Sequence, residues 1–108
     1  MADLGQTRWL TAVLRPAGAL DQPALNRLSA ALGHVAASTD MVIVDLTAAE
    51  VTAPRTLAHR MRAPARQLQQ AGGCLLVVGA PPGLMAELGR ATDPVAAFAS
   101  SSLPLAPA

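Results

Sequence analysis

Residues 41–57 read MVIVDLTAAEVTAPRTL. The first six, Met41 to Leu46, are a short and nearly continuous apolar run rich in branched side chains, the pattern of a strand covered on both faces. Residues 47–53 carry no helical or strand period and read as a loop. Pro54 then suits the first turn of a helix, because the N–H it lacks has no partner there. A central strand leading through a loop into a helix sets the class of the whole chain as α/β.

Outward from this stretch the same alternation repeats. Upstream, residues 8–15 (RWLTAVLR) are β-compatible, and Pro16 with Gly18 breaks or bulges the strand, so an edge or near-edge position is expected. Asp21 is placed to cap a helix with Pro23 in its first turn, and Leu25, Leu28, Leu32 and Val35 recur at spacings of three and four, carrying it to about Ala37. Downstream, Leu57, Met61, Ala65 and Leu68 form the apolar stripe of the helix that starts at Pro54. Pro64 lies inside that stripe and predicts a kink or break near Ala63, with Gly72 and Gly73 ending the helix. Residues 74–79 (CLLVVG) repeat the buried-strand signature, and Pro81, Pro82 and Gly83 lead into a short helix carrying Leu84 and Leu88. Strands alternating with helices of this length pair in parallel, with the helices packed on the sheet. The expected domain spans 1–108, with a core over about 8–99 and a flexible tail at 100–108.

Composition narrows the function classes. A chain of 108 residues is one domain, able to bury somewhat under about two-thirds of the surface its unfolded form exposes. Apolar residues make up 52 %, and Trp9 and Phe98 are the only aromatics, so the core is aliphatic. The net charge of +1 supplies no overall field for nucleic acid or an anionic membrane. The single cysteine, Cys74, excludes an internal disulfide or a cysteine-based zinc site and fits a reducing compartment, the cytoplasm by default. No run of apolar residues is long enough to span a bilayer, so no direct membrane insertion is expected.

Catalytic chemistry is hard to assemble from these residues. The two histidines, His34 and His59, fall on different helices, and His34 follows Gly33 near a helix end, where an imidazole meets the last carbonyls favourably. Cys74 opens an apolar strand, where a thiol behaves as a small hydrophobe. The string GAPPG at 79–83 lacks the donors of a phosphate loop, because its prolines carry no N–H. The reading is of a protein that is not an enzyme and carries no metal or cofactor. One constellation stands out: Arg55, His59, Arg62 and Arg66, at i, i+4, i+7 and i+11, align on one face of the second long helix, with Arg60 off the line. The plainer reading is a solvated helix face. The functional one is a docking stripe for an acidic protein, ahead of nucleic acid because aromatic stacking residues are lacking.

Two local strings and the order of elements resemble a STAS domain, the fold of bacterial anti-sigma factor antagonists and of the cytoplasmic part of sulfate transporters. The family ends its early strand on Gly-x-Leu-Asp, here Gly18, Ala19, Leu20 and Asp21, and closes a later strand on Asp-Leu, here within Val42 to Leu46. It then runs Ser-Gly-Val-x-x-Ile-Asp-Ser-Ser-Gly-Leu, which this chain matches without a gap in TAAEVTAPRTL, Thr47 to Leu57. On that register the family's aspartate corresponds to Ala53, its phosphorylated serine to Pro54, the next serine to Arg55 and the glycine to Thr56, while Leu57 is kept. GGCLLVV, from Gly72, is similar to the family's Gly-x-x-Leu-x-Leu strand.

The resemblance implies a single STAS-like α/β domain with a mixed, mostly parallel sheet of about four to five strands and helices packed on it. It further implies a bacterial, cytoplasmic, non-catalytic regulator of transcription or signalling. The protein would bind an anti-sigma factor or kinase-like partner, and not nucleic acid, through Thr52, Ala53, Pro54, Arg55, Thr56, His59 and Arg62. Because proline has no hydroxyl, the serine phospho-switch cannot operate at Pro54. Thr52 and Thr56 are the hydroxyls that could replace it, and both suit helix capping equally. The alternative implied by the resemblance is a scaffold or accessory subunit of a transport or sensory complex, bound to another STAS or transport component.

Overall fold

A computed structural model describes residues 9–89 and 93–99. The elements run β1 (Thr11–Leu14), β2 (Gly18–Ala19), α1 (Gln22–Ala36), β3 (Met41–Asp45), β4 (Ala49–Glu50), α2 (Pro54–Gln70), β5 (Cys74–Val78), α3 (Pro82–Leu88) and β6 (Val95–Phe98). The main sheet has the order β1-β3-β5-β6, and every pairing in it is parallel, with Thr11 opposite Met41, Met41 opposite Cys74 and Leu75 opposite Val95. The α/β class and a four-stranded sheet agree with the sequence reading, which also expected β1 at an edge and β3 inside.

Strand order increases in one direction only. A parallel crossover is right-handed, so three such steps in the same direction set all three helices on one face of the sheet. The core is accordingly one cluster. Leu25, Leu28 and Leu32 of α1, Leu57, Met61, Ala65 and Leu68 of α2, and Leu84 and Leu88 of α3 pack on Val42, Val44, Leu75, Val77 and Val95. Each fully buried leucine or valine of this set is worth about 1.5–3 kcal/mol against exposure. The other sheet face, with Val13, Ile43 and Leu76 in register across three strands, carries no helix among the described residues.

Local chemistry explains the boundaries. Asp21 accepts a hydrogen bond from the N–H of Ala24 at 3.0 Å, and Pro23 occupies the first turn, so α1 starts where its cap dictates. At its end, the hydroxyl of Thr39 donates to the carbonyl of Val35 at 2.6 Å, while exposed His34 makes no hydrogen bond among the described residues. The second long helix ends in a Schellman arrangement: Gly73 N–H donates to Leu68 O at 2.7 Å and Gly72 N–H to Gln69 O at 3.0 Å, with Gly72 at φ +89°. Gly73 is required for a different reason, since a Cβ there would stand 1.7 Å from the carbonyl oxygen of Asp40.

Three expectations are revised. Helix α2 passes through Pro64 as one element and is not broken at Ala63. Proline removes one ladder bond, but Met61, Ala65 and Leu68 on either side are fully buried, and their burial outweighs the lost bond. The loop at 47–53 contains β4, which pairs with β2 in a separate two-stranded parallel sheet. Strand β6, a small-residue run followed by Phe98, adds the second edge of the main sheet and was not anticipated. The tail at 100–108 lies outside the described residues.

Candidate functional site

The sequence singled out the approach to α2 and its first turns. There the backbone reaches Ala53, the N-cap residue, which offers no side-chain hydrogen bond, and Pro54 opens the helix. The first four residues of a helix leave their N–H groups without a partner within it; at α2 Pro54 has none to leave, and no side chain caps the others. Neither threonine caps. The hydroxyl of Thr52 instead donates to the carbonyl of Leu20 at 3.0 Å, tying the loop to the turn before α1, while Thr56 is half-buried in the first turn.

Arg55, Thr56, His59 and Arg62 line one open groove with Glu87 of α3, about 430 Å³ in volume. Four of the seven residues chosen from sequence therefore share a surface. Thr52 and Ala53 precede it on the chain, and Pro54 is half-buried close to Gly83, where a Cβ would come within 3.4 Å of its ring. Arg66 does not join them; it lines a separate recess with Gln69, Gln70 and Pro94.

The charges in the groove are not equivalent. Arg62 is committed to the fold: its guanidinium donates to Asp93 Oδ2 at 3.0 Å and 3.3 Å and to the carbonyl of Glu87 at 2.9 Å. Asp93 is only 2 % exposed and also accepts from the N–H of Val95, so this one contact ties α2 to the end of α3 and to the start of β6. Arg55 is the opposite case. It is 89 % exposed and lies 3.9 Å from Glu87, a loose solvated pair of small energetic weight. His59 is exposed beside it. Arg60, off the stripe, bridges to Asn26 and Ser29 of α1. The sequence pattern found the face, but it could not separate the arginine that holds the molecule together from the one left free.

A second polar cluster sits where β1 and β3 end. Asp45 accepts from the N–H and hydroxyl of Thr47 and pairs with Arg15 at 3.4 Å. The Thr47 hydroxyl, then its N–H, holds the Asp45 carboxyl below the usual carboxylate range; Arg15 adds to this and burial opposes it. The aspartate of the Asp-Leu string thus braces the loop that leads towards α2, closing an Asx-type turn.

Among the described residues no three His, Cys, Asp or Glu side chains gather as a metal-binding group, and no helix is long and apolar enough to cross a membrane. Cys74 is a free, half-buried thiol. Compared with known proteins, the chain matches no family model and no curated sequence.

Proposed function

We propose that this chain is a non-catalytic, cytoplasmic regulator that resembles a STAS-type anti-sigma factor antagonist and docks an acidic protein surface through the start of α2. The observation that carries this reading is the groove shared by Arg55, Thr56, His59 and Arg62 beside a helix start without a side-chain cap. A carboxylate from a partner would take the open N–H groups of that first turn, where the helix dipole also favours negative charge, and Arg55 would close over it. Arg62 and Thr52 hold the surface in shape, by their bonds to Asp93 and Leu20. With proline where the family's serine stands, binding is constitutive, or else is regulated at Thr56, whose hydroxyl makes no hydrogen bond among the described residues.

The test is affinity capture of the tagged chain from its native cytoplasm, with mass spectrometry of the partner and of any phosphate on Thr52 or Thr56. The captured partner is then titrated against Arg55→Glu and, as a control on α1, Arg27→Glu. Loss of affinity in the first variant alone supports the surface; unchanged affinity in Arg55→Glu removes it. Capture of a transport component instead of an anti-sigma or kinase-like protein would replace the antagonist reading with a scaffold.

A further inference from the structure

Among the described residues the large exposed apolar side chains are Trp9, Leu10 and Val13, each about half exposed, and all three lie at the edge of the main sheet formed by β1. The carbonyl of Leu10 accepts from the N–H groups of Asp40 and Met41, on the β3 side. Bonding alternates along a parallel strand, so Ala12 and Leu14 continue that ladder. The N–H and C=O groups of Thr11 and Val13 face away from it, and nothing among the described residues pairs with them. From Trp9 to Leu14 there is no charge, and the usual guards of an open edge, an inward charge or a mid-strand proline, are missing.

We infer that the β1 edge is a docking surface for a second copy of this chain, the two β1 strands pairing antiparallel about a two-fold axis at Ala12 to give one continuous sheet. What selects a second copy is the complementarity of the edge to itself. With Ala12 opposite Ala12, Thr11 meets Val13 of the other copy through the outward backbone groups of both. Leu10 then stands opposite Leu14, on the helix side, beside an open groove of about 320 Å³ that Leu14 lines with Pro16, Ala24 and Arg27. Trp9 stands opposite Arg15, on the other face; the Arg15 side chain is 74 % exposed, so its guanidinium reaches the indole from its solvated pair with Asp45. All three exposed apolar side chains gain a partner in this one register.

The edge is short, and it buries less than the roughly 800 Å² per partner of a stable complex. The dimer is therefore weak and depends on concentration. The test is sedimentation of the full chain from low micromolar to near-millimolar concentration, together with the emission of Trp9, the chain's sole tryptophan. The expected result is a monomer–dimer equilibrium whose dimer shows blue-shifted emission. Val13→Lys, at an exposed position whose backbone groups face away from β3, should weaken it at least about tenfold by placing a charge in the seam, with an unchanged circular dichroism spectrum. Dilution of the unaltered chain gives the same readout without any substitution, through the return of Trp9 emission to the red. A monomer at every concentration overturns the inference, as does a dimer indifferent to Val13→Lys or one whose formation leaves Trp9 emission unmoved.

Discussion

Helices α1 and α2 both begin with a proline in the first turn, yet one start is closed and the other open. At α1 the carboxylate of Asp21 takes the N–H of Ala24, so the helix satisfies its own end. At α2 the corresponding residue is Ala53, with nothing to give. Capping is worth about 1 kcal/mol in a typical helix, and α2 forgoes it, which under the proposed docking leaves its first N–H groups to an external acceptor. Core burial explains why α2 tolerates this. Leu57, Ala58, Met61, Ala65 and Leu68 are all buried, and the helix does not depend on its cap to form.

The contrast would be disturbed most by removing what shapes the open end. Arg62→Ala leaves the Asp93 carboxylate nearly buried without its cation, and should cost roughly 3 kcal/mol in chemical denaturation; a loss under about 1 kcal/mol would mean that water replaces the guanidinium. Asp21→Ala should cost about 1 kcal/mol by the same measurement, while partner affinity stays as it was. Ala53→Ser tests the other end. It should add about 0.5 kcal/mol of stability and weaken the partner by occupying the donors it needs, so a gain in stability with no loss of affinity would separate the two. Arg55→Glu should leave stability within about 0.5 kcal/mol, as for other exposed substitutions, and act on binding alone.

The smallest effect concerns Asp45, which braces Thr47 and does not cap α2. Its lowered pKa means that its contribution to stability is fully present above the ordinary carboxylate range. That contribution is lost as pH falls through the depressed folded value. Thr47→Val removes the largest source of the shift, so the Asp45 titration followed by carbon NMR should move up towards the ordinary range. An unmoved titration would assign the shift to the Thr47 N–H and Arg15 instead.

Much of the fold was legible because it rests on local patterns. MVIVDL and CLLVVG are apolar on both sides of the pleat, and the leucine spacing in α1 and the cap at Asp21 each point to one structure. What was not legible depends on distant partners. Nothing near Val95 marks it as a strand until β5 is beside it, and β2 and β4 are two residues each, defined only by pairing with one another. Pro64 misled because its cost is local while the burial that offsets it is tertiary. The candidate groove was half legible: the i, i+4, i+7 spacing located the face, but the commitment of Arg62 to Asp93, 31 positions away, has no local signature.

The one-directional strand order has a consequence for how the molecule comes into being. Each new strand of the main sheet is laid beside the strand of that sheet completed just before it, so a chain emerging from synthesis can add these layers in the order in which they are made, without threading between finished strands. The last of these additions, β6, is fastened from behind by Asp93 to Arg62, a residue made long before it. This addition closes with a latch, and a chain lacking the segment from Asp93 onwards would leave the edge of β5 unpaired and Arg62 without its carboxylate.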